Sequence, residues 1–468
     1  MIMRAIFLGF FICGLLHVRA QMKVTCWLTD PARQVFFAKQ QPEPKVPWDP
    51  GQDTIATRID HLIQVDARQS YQSIDGYGWA LTGGSAQHII HMSAPARAAL
   101  LKDLFSAKDD HIGSSYLRIS IGASDLNDHV FSYDDLPEGQ TDTSLSHFDL
   151  GPDRKDVIPV LKEILTIFPS LKIVGSPWSA PAWMKTNNDT RAGSLKPEYY
   201  ATYARYFVKY IQAMAKEGIR LDAITVQNEP LNPKNNPSMY MPAPEQAAFV
   251  KNFLGPIFKQ AGIKTKIIIY DHNCDKPEYP ISILDDPEAR KYIDGSAFHL
   301  YGGKIEAMSK VHDAYPSKNL YFTEQWVGAP GDFSRDIQEH IENLIIGATR
   351  NWSRNVIEWN LAADPDNNPH TDRGGCDRCL GAVTIDGDQV THNPAYYIIA
   401  HAAKFVRPGS VRIASDGELP NVAFRTPAGK TVLIVLNNRD SAQSFIVRDD
   451  KGTAMQTLGA GAVATYVW

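Results

Sequence analysis

The 468-residue chain has no excess of one charge: 47 Lys and Arg against 52 Asp and Glu give a formal net charge of −5, with no long run of either sign. This excludes the basic footprint of a nucleic-acid binder and disfavours a polyanionic substrate. Cysteine is scarce, with five in all, and only Cys376 and Cys379 form a recognisable motif, Gly-Gly-Cys-Asp-Arg-Cys. A zinc site would need two more ligands, yet the chain has neither a second Cys-x-x-Cys nor a paired histidine motif, so no metal and no cofactor are expected. Past the first twenty residues no apolar run approaches the roughly 18 residues of a spanning helix, which argues against a stable membrane span. No solenoid-type repeat is present.

What is present begins with a leader. Arg4 is followed by an apolar stretch from Ala5 to Leu16 and then by Val18-Arg19-Ala20, a small-x-small ending that suits cleavage before Gln21. Residues 1–20 are therefore read as a signal peptide and the mature protein as secreted or periplasmic. Cys13 lacks the preceding small residue that a lipoprotein signal requires. In an exported protein, the Cys376/Cys379 pair reads as a small disulfide closing a surface loop rather than as two free thiols.

With 44% apolar and 21% charged residues the chain is an ordinary globular protein, long enough for one large domain and a smaller one. Short β-branched runs alternate with longer amphipathic stretches, the pattern of βα units around a parallel sheet. Eight strands are read at 73–79, 115–121, 172–176, 223–227, 266–270, 295–299, 320–323 and 356–359, with helical patterns at 196–217, 243–261 and 332–349. The expected fold is an α/β class (β/α)8 barrel over residues 71–404. From about 405 to 468 the character changes to short strands at 411–413, 422–424, 431–436, 444–447 and 462–467, separated by Gly, Pro and Asn turns, which reads as an all-β sandwich. Within 21–70, strands at 24–28 and 61–65 are expected to join that sandwich, with Pro42, Pro44, Pro47 and Pro50 marking a loop between them.

Barrel enzymes place their chemistry at the C-terminal ends of the strands. Asn228-Glu229-Pro230 follows the fourth expected strand, and Glu324 follows the seventh inside Tyr-Phe-Thr-Glu-Gln-Trp. In a closed eight-stranded barrel these two strands lie nearly opposite, so both carboxylates can face one pocket. A lone Glu after a strand is more often a salt-bridge partner or a helix N-terminal charge than a catalyst. Asn-Glu-Pro is a stronger signal, because the proline stops the strand and the Asn228 amide can bond a substrate hydroxyl, the sugar 2-hydroxyl if the substrate is a glycoside.

Six motifs, in order, resemble glycoside hydrolase family 30, the glucosylceramidase-like family. Ser73-Ile-Asp-Gly-Tyr-Gly-Trp-Ala-Leu-Thr is similar to its barrel entry. Leu117-Arg118-Ile119-Ser120 with Ala123-Ser124-Asp125 resembles its second-strand motif, which implies Arg118 beside the nucleophile and Asp125 on sugar hydroxyls. The run from Ser176 to Asn187 implies Trp178 in the sugar pocket, and Phe298-His299-Leu300-Tyr301 implies His299 and Tyr301 flanking the nucleophile. Trp359-Asn360-Leu361-Ala362 resembles the floor of the sugar site, while Glu229 matches the acid/base and Glu324 the nucleophile.

The resemblance implies retaining hydrolysis, with Glu229 holding a proton, Glu324 kept charged by Arg118 and Tyr301, and the carboxyl groups about 5–5.5 Å apart. Trp178 and Trp359 would shape and stack the −1 sugar, and Asp125 and Asn360 would bond its outer hydroxyls. Either Trp could equally be core packing, and His299 a structural histidine. The members that act on glucosylceramide carry Ser or Ala before the nucleophile where this chain has Thr323. The 364–370 loop and the cysteine pair look more like the branch acting on β-1,6-linked glucan, so a carbohydrate substrate of that kind is expected. Glucosylceramide, a xyloside or a fucoside is the alternative within the enzyme class, and a non-catalytic carbohydrate-binding or adhesive surface protein the alternative outside it; the intact pair of carboxylates argues against the latter.

Overall fold

The computed structural model describes residues 22–41 and 61–468. The leader at 1–20, Cys13 and the prolines at 42, 44, 47 and 50 lie outside the described residues. Eight parallel strands close into a barrel: β1 Gly76–Leu81, β2 Tyr116–Ser120, β3 Lys172–Ser176, β4 Ala223–Thr225, β5 Lys266–Cys274, β6 Ile293–Gly303, β7 Asn319–Glu324 and β8 Ser353–Asn360. All eight expected strands exist; the third has the expected ends and the other seven are shifted at one or both. Among the described residues no helix is long and apolar enough to cross a membrane.

The strand period of two organises the barrel interior. Tyr116, Val174, Ala223, Ile268, Ala297, Tyr321 and Ile357, one from each of β2 to β8, form a buried cluster. Two residues further along six of these strands come Arg118, Ser176, Thr225, His299, Thr323 and Trp359, all buried. Alternation therefore stacks a polar layer directly above an apolar one, toward the C-terminal rim.

Strand β5 breaks the phase. Tyr270 and Asp271 have φ of 73° and 64°, and the pairing of β5 with β6 shifts register between Tyr270 and His272. This bulge sends Tyr270 outward against Tyr279 and Phe298, and Asp271 inward to Arg118, Thr225, Thr323 and His299.

A nine-stranded sheet runs in the order Val35–Lys39, Thr25–Asp30, Val463–Val467, Thr431–Leu436, Asn421–Arg425, Val411–Ser415, His61–Ser73, Gln443–Arg448 and Thr453–Leu458. Its own core takes Leu28, Ile63, Val65, Leu433, Val435, Phe445 and Val447. Val432, Ile434 and Leu436 alternate with these and enter the main core. That strand is thus apolar on both faces and bonds the sandwich to the barrel.

Three expectations need correction. The strand starting at His61 runs through Ser73, crossing the expected boundary at 70, and β1 starts only at Gly76. Strands Val35–Lys39 and Thr453–Leu458 were not foreseen. The expected helices at 243–261 and 332–349 contain wider π turns at Val250–Leu254 and Ile341–Ala348. For the first the cause is Pro256, which lacks an N–H for the carbonyl four residues back and whose ring crowds it.

Candidate active site

Arg118, at the centre of the polar layer, is fully buried. It donates through Nε to Ser176 Oγ at 3.1 Å, through Nη2 to Asn228 Oδ1 at 2.7 Å and Asp271 Oδ2 at 2.9 Å, and through Nη1 to Glu324 Oε2. Its guanidinium lies 4.8 Å from the Trp178 ring centroid and 5.7 Å from that of Trp359, and the two indoles stack at 5.3 Å. The fork thus holds the end of β7, the residue before Glu229 and the bulge of β5 in one plane of contacts. Trp178 and Trp359 are only 2% and 4% exposed, so they wall Arg118 and leave little ring face for a sugar.

Glu229 follows a strand that ends at Thr225, and its own backbone sits at φ 44°. A left-handed Glu before a proline is strained by about 1–3 kcal/mol. Its N–H donates to the Asp271 carbonyl at 3.0 Å, and its carbonyl accepts from Asn232 N at 2.9 Å, which hold the turn. Asn232 Nδ2 and Asn235 Nδ2 donate to Glu229 Oε2 at 2.7 and 3.3 Å. Tyr301 Oη donates to Glu324 Oε1 at 3.0 Å.

His299 lies between the two carboxylates, with Nδ1 at 3.4 Å from Glu229 Oε1 and 3.7 Å from Glu324 Oε1, while Nε2 faces Asp271 Oδ1 at 3.2 Å. One oxygen of each glutamate and one His299 nitrogen all lie within 4.8 Å of one another.

The protonation pattern follows from these contacts. Burial would lower His299, but the Glu324 charge and then the bonds to Asp271 and Glu229 raise it to about 9. Burial would raise Glu229, but the His299 bond and charge, helped by His272 and Asn232, bring it down to about 2. These contacts lower Glu229 and raise His299, so they favour the histidine for the proton that the sequence led us to expect on Glu229, the two groups titrating as one coupled pair. Glu324 stands above its ordinary value, because burial outweighs the opposing charges of His299 and Arg118. Asp271 is held well below the usual carboxylate range; its burial is overcome by Arg118, then by His299 and Thr323. Asp125, 7% exposed, is pushed up to about 8 by burial and by the charges of Glu324 and Glu229, which favours its protonated form.

Asn360 is also held within the protein. Its Oδ1 accepts from Thr82 Oγ1 at 3.1 Å and Ser85 Oγ at 2.8 Å, and its Nδ2 donates to the Cys379 carbonyl at 3.4 Å. The amide thus ties β8 to the chain after β1 and to the loop that the Cys376–Cys379 disulfide closes. Replacing Ser85 by Ala, which leaves buried Asn360 short of one partner, is expected to cost about 1–2 kcal/mol in stability, measured by denaturant unfolding.

Sequence reasoning missed Asp271, Asn232 and Asn235. Asp271 lies one residue past the point where the apolar run of β5 stops, out of phase with the alternation, and had no signal. Asn232 and Asn235 sit in Leu231-Asn-Pro-Lys-Asn-Asn-Pro237, which reads only as a turn-rich loop.

A (β/α)8 barrel with two buried carboxylates facing one another beside a histidine at its C-terminal rim defines a glycoside hydrolase. The family model of the glycosyl hydrolase family 30 TIM-barrel domain matches residues 74–406, and that of the family 30 beta sandwich domain matches 409–466. The chain belongs to glycosyl hydrolase family 30. It is 35% identical over 395 residues to the endo-1,6-beta-D-glucanase neg1 of Aspergillus fumigatus, covering 78% of each chain. It is 30% identical over 444 residues to the mouse lysosomal acid glucosylceramidase, covering 87% of this chain and 83% of that one. Among solved structures, the endo-beta1,6-glucanase BT3312 superposes with a TM-score of 0.86 at 35% identity, over 95% of this chain and 99% of that one.

Proposed function

We propose that this chain is an exported enzyme that hydrolyses β-1,6-linked glucan with retention of configuration, Glu324 acting as nucleophile and Glu229 as acid/base. The observation that carries the mechanism is the approach of Glu229, Glu324 and His299 within 4.8 Å. Retention needs carboxyl groups only about 5–5.5 Å apart, whereas inversion needs roughly 6.5–9.5 Å to admit a water. Glu324, aimed by Arg118 and Tyr301, attacks the anomeric carbon. The proton resting on His299 Nδ1 crosses 3.4 Å to Glu229 Oε1, which delivers it to the departing glycosidic oxygen. Water then opens the glycosyl ester, giving its proton back to Glu229. Asp125, protonated, donates to a sugar hydroxyl, and Asn228, its Oδ1 engaged by Arg118, offers its Nδ2 to the 2-hydroxyl.

The substrate reading is supported by the 35% identity to two β-1,6-glucanases, one curated and one solved, against 30% to the glucosylceramidase. Export is supported by the leader pattern at 1–20 and by the disulfide, which suits an oxidising compartment. Incubation with a β-1,6-glucan is expected to release β-1,6-linked oligomers whose new reducing ends first appear as the β anomer by proton NMR. Release of the α anomer would refute the mechanism, and inertness on this glucan with turnover of glucosylceramide would refute the substrate.

The charge pattern also fixes the shape of the pH profile. Glu324 must be ionised to attack and stands above its ordinary 4.5, so kcat/KM is expected to fall on the acid side already above pH 4.5. The alkaline limb is the loss of the proton shared by His299 and Glu229, expected near 9. In His299→Asn the proton must sit on Glu229 itself, and the alkaline limb moves to lower pH. An unmoved limb would show that His299 does not hold the proton.

A further inference from the structure

The loop between β2 and the helix Val157–Ile167 contains a second group of ionisable side chains, away from the polar layer of the barrel. Asp134 is 1% exposed, and both of its carboxylate oxygens are buried without a hydrogen-bond partner. A buried carboxylate with no donor and no counter-charge is strongly unfavourable, so it needs a proton or a cation. The cationic side chains that reach this loop give this carboxylate no hydrogen bond: Lys209 Nζ donates to the Leu145 carbonyl at 2.5 Å and Arg205 Nη2 to the Thr143 carbonyl at 3.1 Å, and the charges of His147 and Lys209 do not offset the burial and the Asp142 charge that push the Asp134 carboxyl up to about 6. What faces Asp134 instead is a further carboxylate and an imidazole, with one ligand atom from each of Asp134, Asp142 and His147 inside 4.8 Å.

We propose that Asp134, Asp142 and His147 form a binding site for a divalent transition-metal cation, separate from the catalytic glutamates. Asp142 is already oriented as a ligand with a supporting shell would be: Ser144 Oγ donates to it at 2.6 Å, Ser146 Oγ at 2.9 Å and the His147 N–H at 2.8 Å. The His147 side chain is 67% exposed, and its Nδ1 lies 2.9 Å from Asp142 Oδ2. The ring therefore marks the entry path, and it is the group free to turn onto an arriving ion. Two carboxylates with one imidazole suit manganese or zinc; an all-oxygen set would suit calcium or magnesium.

The ion would brace the rim of the barrel. The Asp134 carbonyl accepts from Trp183 Nε1 at 2.9 Å, which joins this loop to the one after β3, and Asp125 lies upstream in the same loop.

The test uses the whole mature protein, stripped with a chelator and titrated calorimetrically with Mn2+ alone and with Zn2+ alone. Expected is one saturable site per chain, weakened at least about tenfold in both Asp134→Asn and His147→Ala. The thermal midpoint should rise with metal in the parent protein and not in either variant. Without metal, Asp134→Asn removes a buried carboxylate that no hydrogen bond supports and should melt no lower than the parent, and His147→Ala alters an exposed ring, so both variants fold. Absence of a saturable site overturns the proposal. So does a site that persists undiminished in Asp134→Asn, which would put the ion elsewhere, such as between Glu229 and Glu324.

Discussion

Glu324→Gly is expected to lose at least on the order of 10^3-fold in kcat on an aryl β-glucoside, with the fold intact, and to recover with azide as the α-glucosyl azide. The cavity left by the side chain admits the small anion to the face from which Glu324 would attack, so the rescued product is inverted. Glu229→Gly should behave differently. Its loss in kcat/KM should be roughly 10^2–10^4-fold on substrates with poor leaving groups and small on dinitrophenyl glucosides, which need no proton, while kcat on the latter falls because hydrolysis of the glycosyl ester has lost its base. Azide then attacks the intact glycosyl-enzyme and gives the β product. Opposite stereochemistry from the two rescues separates nucleophile from acid/base. Identical stereochemistry, or full activity in either variant, would contradict the assignment.

Asp271→Asn is the second large effect, and it strikes a residue that needs no contact with substrate. Asp271 is fully buried and joins Arg118, Thr225, Thr323 and His299. The amide keeps the shape but removes the charge shared by two cations, with an expected cost of about 3–5 kcal/mol in unfolding free energy. The sign with pH follows from its depressed value. Its contribution is fully present above the ordinary carboxylate range near 3.8 and is lost as pH falls through the lower folded value. The gap between parent and variant should thus be widest between the ordinary carboxylate range and the ordinary 6.5 of a histidine, shrink in acid, and shrink again as the parent's His299 gives up its proton toward about 9. The variant should also show its alkaline limb at lower pH, because His299 loses one of the charges that hold its proton. A stability loss with an unchanged pH profile would mean that Asp271 only packs.

The legible part of this molecule is the part that obeys local rules. Eight β-branched runs separated by amphipathic stretches are enough to specify a closed barrel, and Asn-Glu-Pro after one run and Glu324 at the end of another place two carboxylates on one rim. The short strands after 405 declare themselves through their turns. What escaped is where the backbone leaves its period. Asp271 reaches the site only through a bulge at positive φ, and Glu229 only through a left-handed turn. Neither conformation has a glycine to announce it. The partners of the Asn360 amide, Thr82, Ser85 and Cys379, are brought together only by closure of β8 onto β1. The resting place of the proton likewise depends on three distances around His299 that no spacing in the chain encodes.

The covalent intermediate is the most direct test of the central claim. Incubation with an activated 2-deoxy-2-fluoro-β-glucoside should trap one glycosyl group per chain, and peptide mass spectrometry should place it on Glu324. Label on another residue, or no label while the enzyme turns over its substrate, would contradict the account.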